Sequence, residues 1–84
     1  MPRTQLVWDL DDDPEGNVQH IAAHGISKAE VGDVLGDPWA LDSSRSSGLP
    51  IAFGFTSTGR YHAVIFEAVD PNTAYPITAY DVPV

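Results

Sequence analysis

His24, Arg45, Arg60, Tyr61, Glu67 and Tyr80 are the residues of this 84-residue chain whose types could together carry chemistry. An imidazole exchanges protons near neutral pH, so His24 suits a general acid or base. Arg45 and Arg60 each present a planar fork that fits a phosphate or a carboxylate. Tyr61 or Tyr80 could donate a hydrogen bond or stack on a base, and Glu67 could accept a proton if its strand faces the same cleft. The chemistry such a set implies is proton transfer beside a bound oxyanion, with no metal and no cofactor. Each residue also has a plainer use: a histidine at a helix end, arginines paired with acids, packed tyrosines and a solvated glutamate.

Metal chemistry has two openings. His20 and His24 stand four residues apart, which places both on one helical face where they could reach a zinc ion. Two ligands do not complete a site, no Glu follows His20 as in HExxH, and His62 lies far along the chain. The acidic stretch DLDDDPEG, Asp9 to Gly16, alternates oxygen donors as calcium loops do, but its spacing does not complete an EF-hand loop. The absence of cysteine removes thiolate ligands and disulfides.

Secondary structure must position these residues. Leu6 to Trp8 is apolar and β-prone and reads as a first strand. Asp11 to Gly16 then form a turn, in which Asp13 is placed to N-cap a helix with Pro14 at its first position. Val18, Ile21 and Ala22 recur at helical spacing, and Gly25 suits the left-handed residue that ends such a run. Ser27 and Glu30 make a capping box, with Ile26 able to staple onto Val31. The second helix carries Val31, Val34 and Leu35 on one face and ends around Gly36, where Asp37-Pro38 forbids continuation.

From Trp39 to Pro50 the chain is polar around DSSRSSG, which predicts a mobile loop. Ile51 to Ser57 and Tyr61 to Val69 are rich in aromatic and β-branched residues, and Thr58-Gly59 between them makes a hairpin. Asp70-Pro71-Asn72 turns the chain into a last strand, Tyr75 to Val82, with Pro76 expected at an edge or at the strand's beginning. The predicted order is β-α-α-β-β-β: an α+β fold in a single domain, residues 1–84, with two helices packed on one face of an antiparallel sheet. Alternation turns His62, Val64 and Phe66 toward the helices. Tyr61, Ala63, Ile65 and Glu67 then face away, joined by Ile77 and Ala79. That second face is apolar enough to call for cover, by a homodimer or by a partner's helix.

Composition bounds the function. A chain this short buries only about 60% of its unfolded surface, so its core is thin. A hydrophobic fraction of 43% excludes a disordered tail, and no apolar run reaches the roughly 18 residues of a membrane span. The opening MPRTQLVWDLDDD lacks the apolar segment of a secretory signal, so the cytoplasm is expected. Twelve acids against four basic residues give a net charge of −8. Such a field repels phosphate backbones and attracts basic proteins, and it also keeps a small protein soluble.

Several short motifs carry a family resemblance. Trp8-Asp9, His24-Gly25 before a Ser-capped helix that ends in Asp37-Pro38, the Gly59-Arg60-Tyr61 run and a strand reaching Glu67 together resemble the BrnT family of toxins. That family is a branch of the RelE-like ribonuclease toxins, whose members work beside an antitoxin encoded next to them. GNVQHIAAHG and YPITAYDV look like an acidic, divergent subgroup. The resemblance spans most of the chain. It implies a type II toxin-antitoxin component, a metal-independent endoribonuclease built on His24, Arg45, Arg60, Tyr61, Glu67 and Tyr80, and an antitoxin-like partner. The chain departs from the family where phosphate is held. Ala23 precedes His24 where the family has lysine, His20 stands where it has asparagine, and Ile77 to Asp81 replace an arginine-rich strand. The same frame without those cations fits a noncatalytic protein-binding module, the second reading.

Overall fold

The computed structural model describes residues 5–83. Its elements are β1 (Gln5–Leu6), α1 (Asn17–Ala22), α2 (Lys28–Gly36), β2 (Ala40–Ser43), β3 (Pro50–Phe55), β4 (Tyr61–Asp70) and β5 (Thr73–Asp81). The class is α+β, as expected, but the sheet has five strands in the order β1-β5-β4-β3-β2. It is mixed rather than antiparallel, because β1 runs parallel to β5. The turn at Pro71-Asn72 returns the chain beside the start of β1, where the Gln5 N–H donates to the Asn72 carbonyl at 3.0 Å. From there both strands run the same way.

The added strand, β2, takes the first part of the predicted loop, and residues 44–49 remain a turn. All four of its residues are exposed and only one is strongly apolar, so nothing local marks it as a strand. Pairing with β3 makes it one, Ala40 opposite Phe53 and Ser43 opposite Pro50. The connecting turn closes with Ser44 N–H on Leu49 O at 2.7 Å, and Gly48 takes the positive φ of 73°.

Helix α1 begins later than the sequence predicts. Asp13 and Pro14 stay in the turn, Gly16 is the N-cap, and no side chain of that residue can cap. The missing acceptor comes from Asp9, whose carboxylate takes the Asn17 N–H at 2.9 Å. The helix stops after Ala22, and Gly25 adopts φ 77°, the left-handed conformation expected of it. Ser27 and Glu30 form both halves of the capping box that starts α2.

Ile21, Ile26, Val31, Val34 and Leu35 from the helical half pack on Ala52, Val64, Phe66, Ala74 and Ala79 of the sheet, and all ten are buried. Fully burying an aliphatic side chain of this size contributes about 1.5–3 kcal/mol. Ala79 therefore faces the helices, not the outer side. It pairs with Val64 and shares its direction. The pairing slips between Ile65 and Phe66, whose partners are Thr78 and Pro76, so Ile77 is an extra residue and the alternation is reset across it. Pro76 sits at that irregularity, just past the short reach of β1, where its missing N–H breaks no ladder. Among the described residues no helix is long and apolar enough to cross a membrane.

Candidate functional site

The six residues singled out from the sequence fall at two ends of the sheet. Arg45 is exposed in the β2–β3 turn, next to the start of β3, whereas Arg60 immediately precedes β4 at the far end of that strand. The six residues of β3 lie between them, a separation of roughly 20 Å at about 3.3 Å per residue. Glu67 belongs to the Arg45 end, since Ile65 is already opposite Ile51. His24, Arg60, Tyr61 and Tyr80 share the other end. There His24 is exposed beside Gly25, whose carbonyl accepts from Arg60 Nη1 at 3.4 Å. Tyr61 packs against Phe55 with ring centres 4.6 Å apart. Tyr80 pairs with Ala63 on the side of the sheet turned away from His62.

Arg60 is already engaged. Its Nη1 donates to Glu30 Oε2 at 3.1 Å, and its Nη2 meets both oxygens of Asp81 at 3.1 Å. Beneath it lies His62, the partner of Asp81 in the β4–β5 register and 0% exposed. The His62 Nε2 hydrogen-bonds Glu30 Oε2 at 2.9 Å. Its Nδ1 is 2.8 Å from Asp81 Oδ1 but out of line with it, leaving a close electrostatic contact and a buried ring nitrogen without a hydrogen bond. The hydrogen bond from His62 holds the Glu30 carboxyl below the usual range, helped by the Ser27 N–H and the Arg60 charge against the opposing effect of burial. Two carboxylates, a guanidinium and an imidazole thus form one cluster that ties the first turn of α2 to β4 and β5.

A second polar cluster stands at the other side of α1. Asn17, 4% exposed, donates its Nδ2 to Val7 O at 3.0 Å and Pro76 O at 2.8 Å. Tyr75 donates its hydroxyl to Asp9 Oδ2 at 2.6 Å. That bond, with the Asn17 N–H, lowers the Asp9 carboxyl from its ordinary value, and the same bond raises the Tyr75 phenol. Beside them a cleft of about 260 Å³ is lined by Glu15, Gly16, Asn17, His20, Tyr75 and Ile77. No lysine or arginine lines it, so it lacks the fixed positive charge that holds a phosphate. His20, part of that lining, hydrogen-bonds Thr78 Oγ1 at 3.1 Å, and its ring meets His24 edge-on at 5.4 Å. Among the described residues no three His, Asp or Glu side chains are grouped to hold a metal ion.

Neither a family model, nor a curated protein, nor a solved structure matches this chain.

What the arrangement can do chemically follows from the cations. Lys28 ion-pairs with Asp11 at 2.6 Å, and Arg60 is held by two carboxylates. His24 therefore stands at the surface without a free cation beside it among the described residues. Sequence reasoning missed Glu30 and Asp81 as the groups that occupy Arg60. Their signal was available only in part: Glu30 read as a cap, and the parity that turns His62 inward also turns Asp81 once the two are paired. The Asp9, Asn17 and Tyr75 cluster had no spacing signal, because Tyr75 lies 66 residues from Asp9.

Proposed function

We propose that this protein is a toxin-antitoxin-like component that acts by binding another protein, without cleaving RNA. The observation that carries this is the closure of Arg60 on Glu30 and Asp81. Phosphodiester cleavage needs positive charge held ready for the charge that develops on the phosphate. A guanidinium with two carboxylate partners in a protein of net charge −8 supplies little of it. The likeness of Trp8-Asp9, His24-Gly25 and Gly59-Arg60-Tyr61 to the BrnT toxins supports descent from that frame, and the two helices on one side of a sheet agree with it at the level of class. The ribonuclease reading retains one point in its favour: His24 is exposed and adjoins the Gly25 carbonyl that Arg60 reaches.

Induced expression with growth and total RNA followed over time tests the two readings. Protein binding without catalysis predicts intact RNA at demonstrated expression. Fragmented RNA that becomes intact again with His24→Ala would overturn it.

A further inference from the structure

We infer that the face of the sheet turned away from the helices is the docking surface for a cationic amphipathic helix of a partner protein. This rests on the protein-binding reading above and names its surface. Register identifies the residues. Tyr61 pairs with Phe55, Ala63 with Phe53 and Tyr80, and Ile65 with Ile51. All alternate with the inward set His62 and Val64, so they point outward together; Ala63 and Ile51 are buried at the base of this face, while Phe53, Phe55, Tyr61 and Ile65 are half-buried. Their rings form a preassembled patch. Phe53 and Tyr61 are stacked at 6.4 Å, Phe55 meets Tyr61 at 4.6 Å, and Trp39 stands edge-on to Phe55 at 5.0 Å. Trp39 remains 72% exposed although its backbone N–H is bound to Phe53 O. Rigid aromatic side chains on a pinned backbone lose little freedom on binding, which is why they serve as interface anchors.

Charge chooses the occupant. A second copy would bring the same net charge of −8 to the contact, whereas a basic partner is drawn to it. Asp42 stands opposite Ile51, and Glu67 follows Ile65 on the same side, so carboxylates flank the apolar centre at its Arg45 end. Glu67 makes no hydrogen bond or ion pair among the described residues. An added strand at the β2 edge is less suited, because the Ser43 N–H is already taken by Asp42 Oδ1 at 2.8 Å. A helix with leucine-type residues on one face and lysine or arginine on its flanks meets both features.

The full chain titrated with a designed leucine/lysine amphipathic helix, followed by amide NMR shifts and Trp fluorescence, tests this. Three controls accompany it: a leucine/glutamate helix of equal apolarity, a serine/lysine peptide of equal charge, and single-stranded oligouridine. The leucine/lysine helix is expected to shift Phe53, Phe55 and Tyr61 selectively. Trp39→Ala and Tyr80→Ser, which alter exposed side chains and whose folding the amide spectrum checks, should each weaken it by about tenfold. Equal binding of the serine/lysine peptide, indifference to both variants, oligouridine shifting the same residues, or concentration-dependent self-association through them would each overturn the assignment. Because RNA integrity is read separately, loss of helix binding in an inert protein rejects this surface alone, and RNA cleavage rejects the reading on which it rests.

Discussion

Asp9 and Asn17 hold each other by two reciprocal hydrogen bonds of 2.9 Å, each backbone N–H donating to the other's side-chain oxygen. One residue ends the segment that follows β1 and the other starts α1, so the pair clamps the acidic turn between them and caps a helix whose own N-cap is glycine. Asn17→Ala removes the side-chain half of this clamp, keeping the backbone N–H bond to Asp9, and leaves the Asp9 N–H and the Val7 and Pro76 carbonyls without their partner. We expect a loss of about 3 kcal/mol, since each unsatisfied buried group costs about 1–3 kcal/mol. In a domain of this size the melting temperature should fall by roughly 15 °C. Thermal unfolding followed by circular dichroism measures it. Gln19→Ala, which removes an exposed bond to Asp11 O, should change it little.

Acid should unfold the protein by way of the same pair and of Glu30. Both carboxyls lie below their ordinary values in the fold, Asp9 through Tyr75 and Asn17, Glu30 through His62. A depressed carboxyl contributes stability that is complete above the unfolded value of about 4 and disappears as pH falls through the lowered folded value. Denaturant midpoints should therefore hold steady from neutrality to about pH 5 and drop below about pH 4. Asp9→Asn should flatten that slope. An unchanged slope in the variant would remove Asp9 from the account.

The two arginines of the candidate site should behave differently. Arg60→Ala leaves Glu30 and Asp81 without their shared cation, and a loss of about 1–2 kcal/mol is expected, discounted for an arginine that is 43% exposed. Arg45→Ala touches no partner among the described residues and should stay within about 0.5 kcal/mol. Paired urea titrations distinguish them. Equal effects would mean that the Arg60 cluster adds nothing to the fold.

Glycines give a prediction of opposite signs. A Cβ on Gly16 would stand 2.7 Å from the Cβ of Asp9, so Gly16→Ala forces the clamp apart and should cost about 1–3 kcal/mol. Gly25→Ala meets open space but must hold φ 77°, a strain of about 1–2 kcal/mol. Gly32 lies within α2 with nothing near it, and Gly32→Ala should stabilise by about 1 kcal/mol. Melting temperatures of the three variants, compared with the parent, test all three signs together.

Local signals were legible in the sequence wherever neighbours in the chain decide the outcome. The Ser27–Glu30 box, the left-handed Gly25, the Thr58-Gly59 hairpin and the inward parity of His62 all follow from spacing. Where distant residues decide, spacing was silent. β2 exists through pairing with β3 despite its polar composition, and Ala79 turned inward through a slip of register at Ile77. The α1 cap came from Asp9, not Asp13, because a reciprocal clamp outcompeted a local turn. For the candidate site, residue types suggested a phosphate fork at Arg60. The carboxylates that hold it lie 30 residues before and 21 after, beyond any local pattern.

The parallel pairing of β1 with β5 also bears on synthesis. Gln5 and Thr73, which face each other in that pair, are 68 positions apart. During translation at about 5–20 residues per second, β1 therefore waits several seconds for the strand it joins. Asn17 waits likewise for the Pro76 carbonyl. The capped helix α2 and the hairpin of β3 and β4 need only chain that precedes β5, but the seam beside α1 closes only when β5 has emerged. A nascent chain of this protein should remain open to chaperones and proteases along that seam, longer than its size alone would suggest.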